Sequence, residues 1–252
     1  MGADIKSSYG LGWGFALAFP LIFLLPPVVE FIQHAIEWRL GVFDSVQKAE
    51  ALSNHPVRLG FGFVKLASLL VVGLWISRYR HSGGDRKLAG KVTGGLFMAF
   101  IPVIVVALAW EGVQMAAGPR LSAAAIGQVA SIAAGIGLFV LGAVFQVLTA
   151  GWRVGVPLRD RRMGFFGSIW KGLRVLPAGL LIYFVVFLPL LVLHTGLNVA
   201  MALIGLGPVL WVLFVVDALL VGYIATAVWG VYDAIYRRGL AAAGQTPVTL
   251  EA

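Results

Sequence analysis

Between Arg174 and His194 the chain carries no charged residue and reads VLPAGLLIYFVVFLPLLVL, an apolar run interrupted only by Pro177 and Pro189. As a helix it is long enough to cross a hydrocarbon layer of roughly 30 Å. A basic and aromatic entry precedes it, with Phe165, Phe166, Trp170, Lys171 and Arg174. Looser copies of the same unit surround Pro20 and Pro102, so the remainder of the chain reads as variations on this stretch.

Composition says what solvent such a chain meets. It is 60% hydrophobic and only 12% charged, against about 25% charged residues in an ordinary soluble domain. Too little polar surface remains to cover it in water, so lipid is its expected medium. The net charge of +8 is not gathered into one domain. It lies in short clusters at the ends of apolar runs, the placement expected for anionic headgroups and not for nucleic acid. There is no cysteine, which removes disulfides, thiolate metal sites and cysteine nucleophiles.

Six spans follow in order. The first is expected over about 11–33, kinked by Pro20 and followed by Pro26 and Pro27. Unlike a cleavable signal, its apolar run continues to Glu30, so it reads as a retained span. From Glu30 to Glu50 the pattern becomes amphipathic, with Glu30, His34, Glu37, Asp44 and Lys48 near helical spacing, and predicts a helix lying on the bilayer surface. The second and third spans are expected over about 57–77 and 93–115. Gly118 and Pro119 then signal a turn and Ser122 an N-cap. The fourth span, about 122–149, repeats small residues at Ala123, Gly127, Ser131 and Gly135, a stripe expected to face another helix. The fifth is expected over about 172–193. His194 to Gly207 is expected as a short interfacial or re-entrant link, and the sixth span over about 208–236.

Lysine and arginine set the expected orientation. Fourteen lie at one side of these spans and four at the other, which puts both termini in the cytoplasm. Tyr79-Arg80, Trp152-Arg153 and Tyr236-Arg237 each end an even-numbered span at that side. A ring at headgroup level and a cation reaching phosphate suit an interface, so Arg80, Arg153, Lys171, Arg174 and Arg237 are candidate contacts to anionic headgroups. Pro20, Pro102 and Pro177 fall early in the odd-numbered spans. The expected fold is therefore all-α: one integral membrane domain over 1–252, with three helical hairpins at about 11–78, 92–150 and 172–236.

This layout, with the entry Phe165-x2-Ser168-x-Trp170-Lys171-Gly172-x-Arg174, resembles the YciC-like bacterial inner-membrane proteins. It is also similar to the membrane domain attached to some glycerophosphodiester phosphodiesterases. The resemblance implies a multi-pass protein of the bacterial cytoplasmic membrane with a role linked to the envelope or its lipids. It carries over no catalytic residue.

Ionisable groups within a span cost about 2.5–3.5 kcal/mol near the bilayer centre and usually have a reason. The candidates are Glu30, Lys65, Glu111 and Asp217. They could line a polar cavity, or Lys65 could pair with one carboxylate simply to fix helix register. Glu30, His34 and Glu37 share one helical face and with His55 could form a metal site, but an exposed polar face looks the same, and no metal or cofactor is expected. His194 has no evident partner for haem ligation. No nucleophile, Walker or zincin motif occurs, so no catalytic residue is expected either. The leading expectation is a non-catalytic membrane protein acting in envelope or lipid homeostasis, or within a larger assembly. Its partners would be anionic lipid and other membrane subunits. The alternative is a small transporter or channel with an intramembrane charged gate, ahead of an intramembrane lipid-modifying enzyme.

Overall fold

The computed structural model describes residues 1–124, 127–204 and 207–250, with the side chains of 122–124 left out. The described residues contain helices and no strand. In chain order these are α1 (Gly2–Ala18), α2 (Pro20–Phe23), α3 (Leu25–Arg39), α4 (Val46–Ala51), α5 (Pro56–His81), α6 (Arg86–Gly90), α7 (Gly94–Ala124), α8 (Gln128–Gly155), α9 (Phe165–Arg174), α10 (Leu176–Ile204) and α11 (Pro208–Ala241). Six segments are long and apolar enough to cross a membrane: Pro20–Arg39, α5, 94–121 of α7, α8, α10 and α11. The protein is a multi-pass, all-α membrane protein.

The expected first span is cut in two places. Phe19, just before Pro20, adopts φ −133° and ψ 62°, outside the helical region that the following proline ring disfavours, and α1 ends there. A second break falls at Leu24, ahead of Pro26 and Pro27 in the first turn of α3. The expected surface helix over Glu30–Glu50 is also revised. Residues up to Arg39 belong to the spanning α3, and Glu30, His34 and Glu37 are buried; only α4 and the 3-10 turn Val42–Asp44 remain beyond it.

Further along, α7 runs through Gly118 and Pro119 without a turn, and Ser122 lies inside α7 and does not cap α8. The side chains of Ser122 and Ala123 lie outside the described residues. The expected link after His194 is the last three turns of α10, while Gly205 lies outside the described residues. Phe165–Arg174 is a separate helix, α9, whose Ser168 hydroxyl donates to Leu148 O of α8 at 2.7 Å.

Consecutive spans touch, α3 with α5, α7 with α8 and α10 with α11, but the organising element is α11. It packs against α1, α3, α5, α8, α9 and α10. The chain from α1 to α3 lies antiparallel along it, and small residues permit the approach. A Cβ on Gly230 would stand 2.6 Å from Ser8 Cα, one on Gly222 2.7 Å from Pro27 Cγ, and one on Gly12 2.8 Å from Thr226 Oγ1. Gly222, Thr226 and Gly230 recur every four residues on one face, the spacing that brings helix backbones together in lipid. Of the stripe expected to do this, Gly127 and Gly135 instead point outward, both exposed and with nothing within 4 Å of an added Cβ.

The basic end is closed by hydrogen bonds to and from charged groups. Arg78 donates to the carbonyls of Leu88, Ala89 and Pro157 at 3.0–3.1 Å. Asp233 is met by Arg80 Nε at 2.6 Å, His81 Nε2 at 2.6 Å and Arg237 Nε at 2.8 Å. Asp4 holds Arg238 at 2.6 Å, and Leu250 N–H donates to His81 O at 2.8 Å. Asp160 receives the Tyr236 hydroxyl at 2.8 Å and the Arg162 guanidinium at 2.8 and 2.9 Å. Burial pushes the Asp160 carboxyl up, but the hydrogen bonds from Arg162 and Tyr236 outweigh it and hold it below the usual carboxylate range.

Two outcomes follow. Trp229 lies against Gly73 of α5, where an added Cβ would stand 1.7 Å from Trp229 Cε2, and its indole donates to Leu69 O at 3.0 Å. Gly73→Ala should therefore cost about 3 kcal/mol, the upper part of the range for overpacking, and Gly73→Ala with Trp229→Leu should recover part of it in detergent melts. A carboxyl depressed by folding contributes stability above its unfolded pKa of about 3.9 and loses it as pH falls through the folded value. The melting temperature should fall on acidification below about pH 4, with a shallower slope in Asp160→Asn.

Candidate functional site

The structure gathers charged side chains from four helices in the half of the bundle away from the basic end. α3 supplies Glu30, Gln33, His34 and Glu37 at i, i+3, i+4 and i+7, all buried on its face towards α5 and α11. α5 brings Arg58 and Lys65, α10 brings His194 and Asn198, and α11 brings Asp217.

His34 is the centre. Its Nε2 lies 2.8 Å from Asp217 Oδ2 and 3.5 Å from Glu30 Oε1, and its Nδ1 lies 3.3 Å from Glu37 Oε2. The ring is stacked on Phe214, centroids 5.1 Å apart, and edged by Phe43. Val42, Phe43, Met201, Leu210 and Phe214 form a small apolar core beside it. On the far side of Asp217, His194 Nδ1 approaches Oδ1 at 2.7 Å, and Asn198 Nδ2 donates to Oδ2 at 3.4 Å. His194 Nε2 lies 3.9 Å from Glu30 Oε1.

Cations meet two of the three acids. Lys65 Nζ stands 2.7 Å from Glu30 Oε2, an ion pair without the angles of a hydrogen bond. Arg58 Nε donates to Glu37 Oε1 at 2.7 Å, where Gln33 also donates at 2.9 Å. Asp217, with no exposed surface, pairs among the described residues with the two histidines and with no lysine or arginine. A buried carboxylate in this setting needs partners of good geometry, because no water replaces them.

Of the sequence candidates, Glu30, Lys65 and Asp217 thus come together, and Glu111 stands apart on α7. Glu111 and Lys65 line one cavity of about 370 Å³, together with Gln33, Ser53 and Arg58. A second cavity of about 490 Å³ shares Glu111 and Met115 with the first and adds Gln114, Gln146 and Tyr183. A third, about 170 Å³, shares Gln146 and Tyr183 and reaches Arg153 and Tyr232.

The headgroup candidates divide. Arg153 is buried inside the protein: it is 2% exposed, bonds to Thr149 Oγ1 and Tyr232 Oη, and lies over the Tyr232 and Phe145 rings. The helix carries on beyond it to Gly155, and the ring of Trp152 is spent on Phe165. Arg80 and Arg237 are engaged with Asp233. Lys171 and Arg174 donate to the carbonyls of Arg162 and Ala242 on the rim of the basic end.

His55 caps α5 through Val57 N and does not belong to the cluster. Sequence spacing gave His34 and Glu37 but read them as exposed. It missed that His194 on α10 and Asp217 on α11, 23 residues apart, face each other. An antiparallel register would have found that pair. No family model, curated protein or solved structure matches the chain.

Proposed function

We propose that this membrane protein is a small transporter or channel whose gate is the Glu30–Lys65 ion pair. The observation that carries the reading is the run of adjoining cavities, from Ser53, Arg58 and Lys65 past Glu111 to Gln146 and Arg153. A passage needs polar groups at successive depths in a medium that supplies none, and intramembrane charges facing a cavity are where solute pathways are found. Lys65 faces both the cavity and Glu30, so its ammonium can leave the carboxylate for a passing anion without entering lipid. Arg153, with no carboxylate partner among the described residues, favours a solute bearing negative charge at the inner end. In this reading the protein is not an enzyme.

A second reading, a role in envelope lipid homeostasis, is supported by α9. Phe166, Trp170 and Leu173 are exposed beside Lys171 and Arg174, as in a helix seated among anionic headgroups. The likeness to YciC-like proteins agrees with a bacterial inner membrane, and the basic end would then face the cytoplasm with both termini.

Two experiments test these readings. In proteoliposomes, chloride, phosphate and proton gradients should dissipate faster with the protein than without, and Lys65→Met should abolish the flux while the protein still inserts and melts cooperatively. No flux for any of these ions in the unaltered protein removes the transport reading. A reporter fused after Arg238 should be active in the cytoplasm only, and periplasmic activity would reverse the orientation.

A further inference from the structure

Glu30, His194 and Asp217 each offer one ligand atom within 4.8 Å of the other two. Imidazole with carboxylate is a donor set that suits zinc, iron(II) and manganese. We propose that Glu30, His194 and Asp217, with His34 Nε2 drawn in from beside Glu30 and Asp217 as the fourth ligand, bind a divalent first-row transition metal ion of the zinc class between α3, α10 and α11.

Distances support the geometry. Ligands about 2.0–2.1 Å from a tetrahedral ion stand about 3.4 Å from one another. Glu30 Oε1 lies 3.5 Å from His34 Nε2 and 3.9 Å from His194 Nε2, so both rings direct Nε2 at the same oxygen. Asp217 Oδ2 lies 2.8 Å from His34 Nε2, a contact that opens by about half an ångström when an ion enters.

Donor accounting gives the second support. A neutral imidazole has one N–H and one lone pair. His34 turns both nitrogens to carboxylate oxygens, Nδ1 to Glu37 and Nε2 to Asp217 and Glu30. With Nδ1–H donated to Glu37, the Nε2 lone pair faces two acids, and either a second proton on the ring or a metal ion must stand between them. The Glu37–His34 contact is also the support that metal-binding histidines take from a neighbouring carboxylate. Arg58 and Gln33 fix Glu37 in turn, and Lys65 holds the outer oxygen of Glu30.

Access is from the end away from the basic clusters. The His194 side chain is 20% exposed, and a cavity of about 160 Å³ lined by Arg58, Thr195 and Asn198 adjoins it. Asn198 joins that cavity to Asp217. The site does not rest on the transport reading, since equilibrium binding in detergent needs no flux.

The test uses the full chain in mild detergent, with any polyhistidine tag cleaved and bound metal stripped by a chelator. One Zn²⁺ per chain should bind, and Co²⁺ in its place should show the strong visible bands of four-coordinate nitrogen and oxygen ligation. His194→Gln and Asp217→Asn should each weaken binding at least tenfold. Glu37→Gln should weaken it about 10–100-fold, the effect usual for a ligand's supporting carboxylate, and His55→Gln should leave it unchanged. Uptake of neither ion by the unaltered chain, or uptake undiminished in His194→Gln, overturns the proposal. Should the variants fail to fold, the Co²⁺ spectrum of the unaltered chain decides: the weak bands of all-oxygen octahedral coordination overturn it.

Discussion

Asp217 has no exposed surface and lies where the surrounding medium solvates nothing. Moving a carboxylate to such a place is unfavourable by several kcal/mol unless the protein surrounds it with donors or cations. Much of the upper bundle follows from that requirement. His34 must sit three turns into α3 with its Nε2 towards α11, and His194 must sit on α10 at the same depth. Glu37 and Arg58 then follow, because His34 needs a partner for its second nitrogen and Glu37 needs one for its own charge. Each helix is placed by the polar group it contributes, and the apolar faces between them are free to meet lipid.

Close backbone approach is the second constraint, and it is concentrated on α11. Between helices in lipid there is no hydrophobic drive, so contact depends on packing and hydrogen bonds. Gly222, Thr226 and Gly230 admit Pro27, Gly12 and Ser8, while Trp229 on the next face fills the space left by Gly73. These contacts lie along the same helix that carries Asp217 and Asp233, so one element sets both the spacing and the charge pairing. The proposed passage and the proposed metal site lie on opposite sides of Glu30, whose two oxygens face Lys65 and the histidines respectively. An ion bound to Oε1 would draw charge from Oε2 and loosen the hold on Lys65, so the two proposals meet at a single carboxylate.

The spans were legible because charge and apolar length are properties of short segments. All six regions expected to cross overlap a segment long and apolar enough to do so, although the first is broken at Phe19 and Leu24 and its segment is shifted to Pro20–Arg39. Boundaries were less so, for a physical reason: proline signals differ with context. Pro20 starts a helix after a break, whereas Pro102 and Pro119 sit inside α7, since a membrane helix lets neighbours supply the lost hydrogen bond. Burial was the hardest property to read. Polar residues on α3 look like a wetted face until Asp217 and Arg58, which are remote in sequence, are brought against them. In the same way a small-residue stripe on α8 competed with one on α11, and only the tertiary arrangement decides which is covered. Arg153 carried an interfacial signature beside Trp152, yet Tyr232 and Thr149 claim it from within.

The packing of α1, α2 and α3 along α11 has a consequence for biogenesis. The residues that complete the first crossing, Asp217 and the Gly222–Gly230 face, leave the ribosome after almost everything else described. Until then Glu30 and His34 wait in the nascent chain without Asp217. The first crossing therefore gains its full set of buried contacts only once the last helix is in place, so its stability is coupled to the far end of the chain.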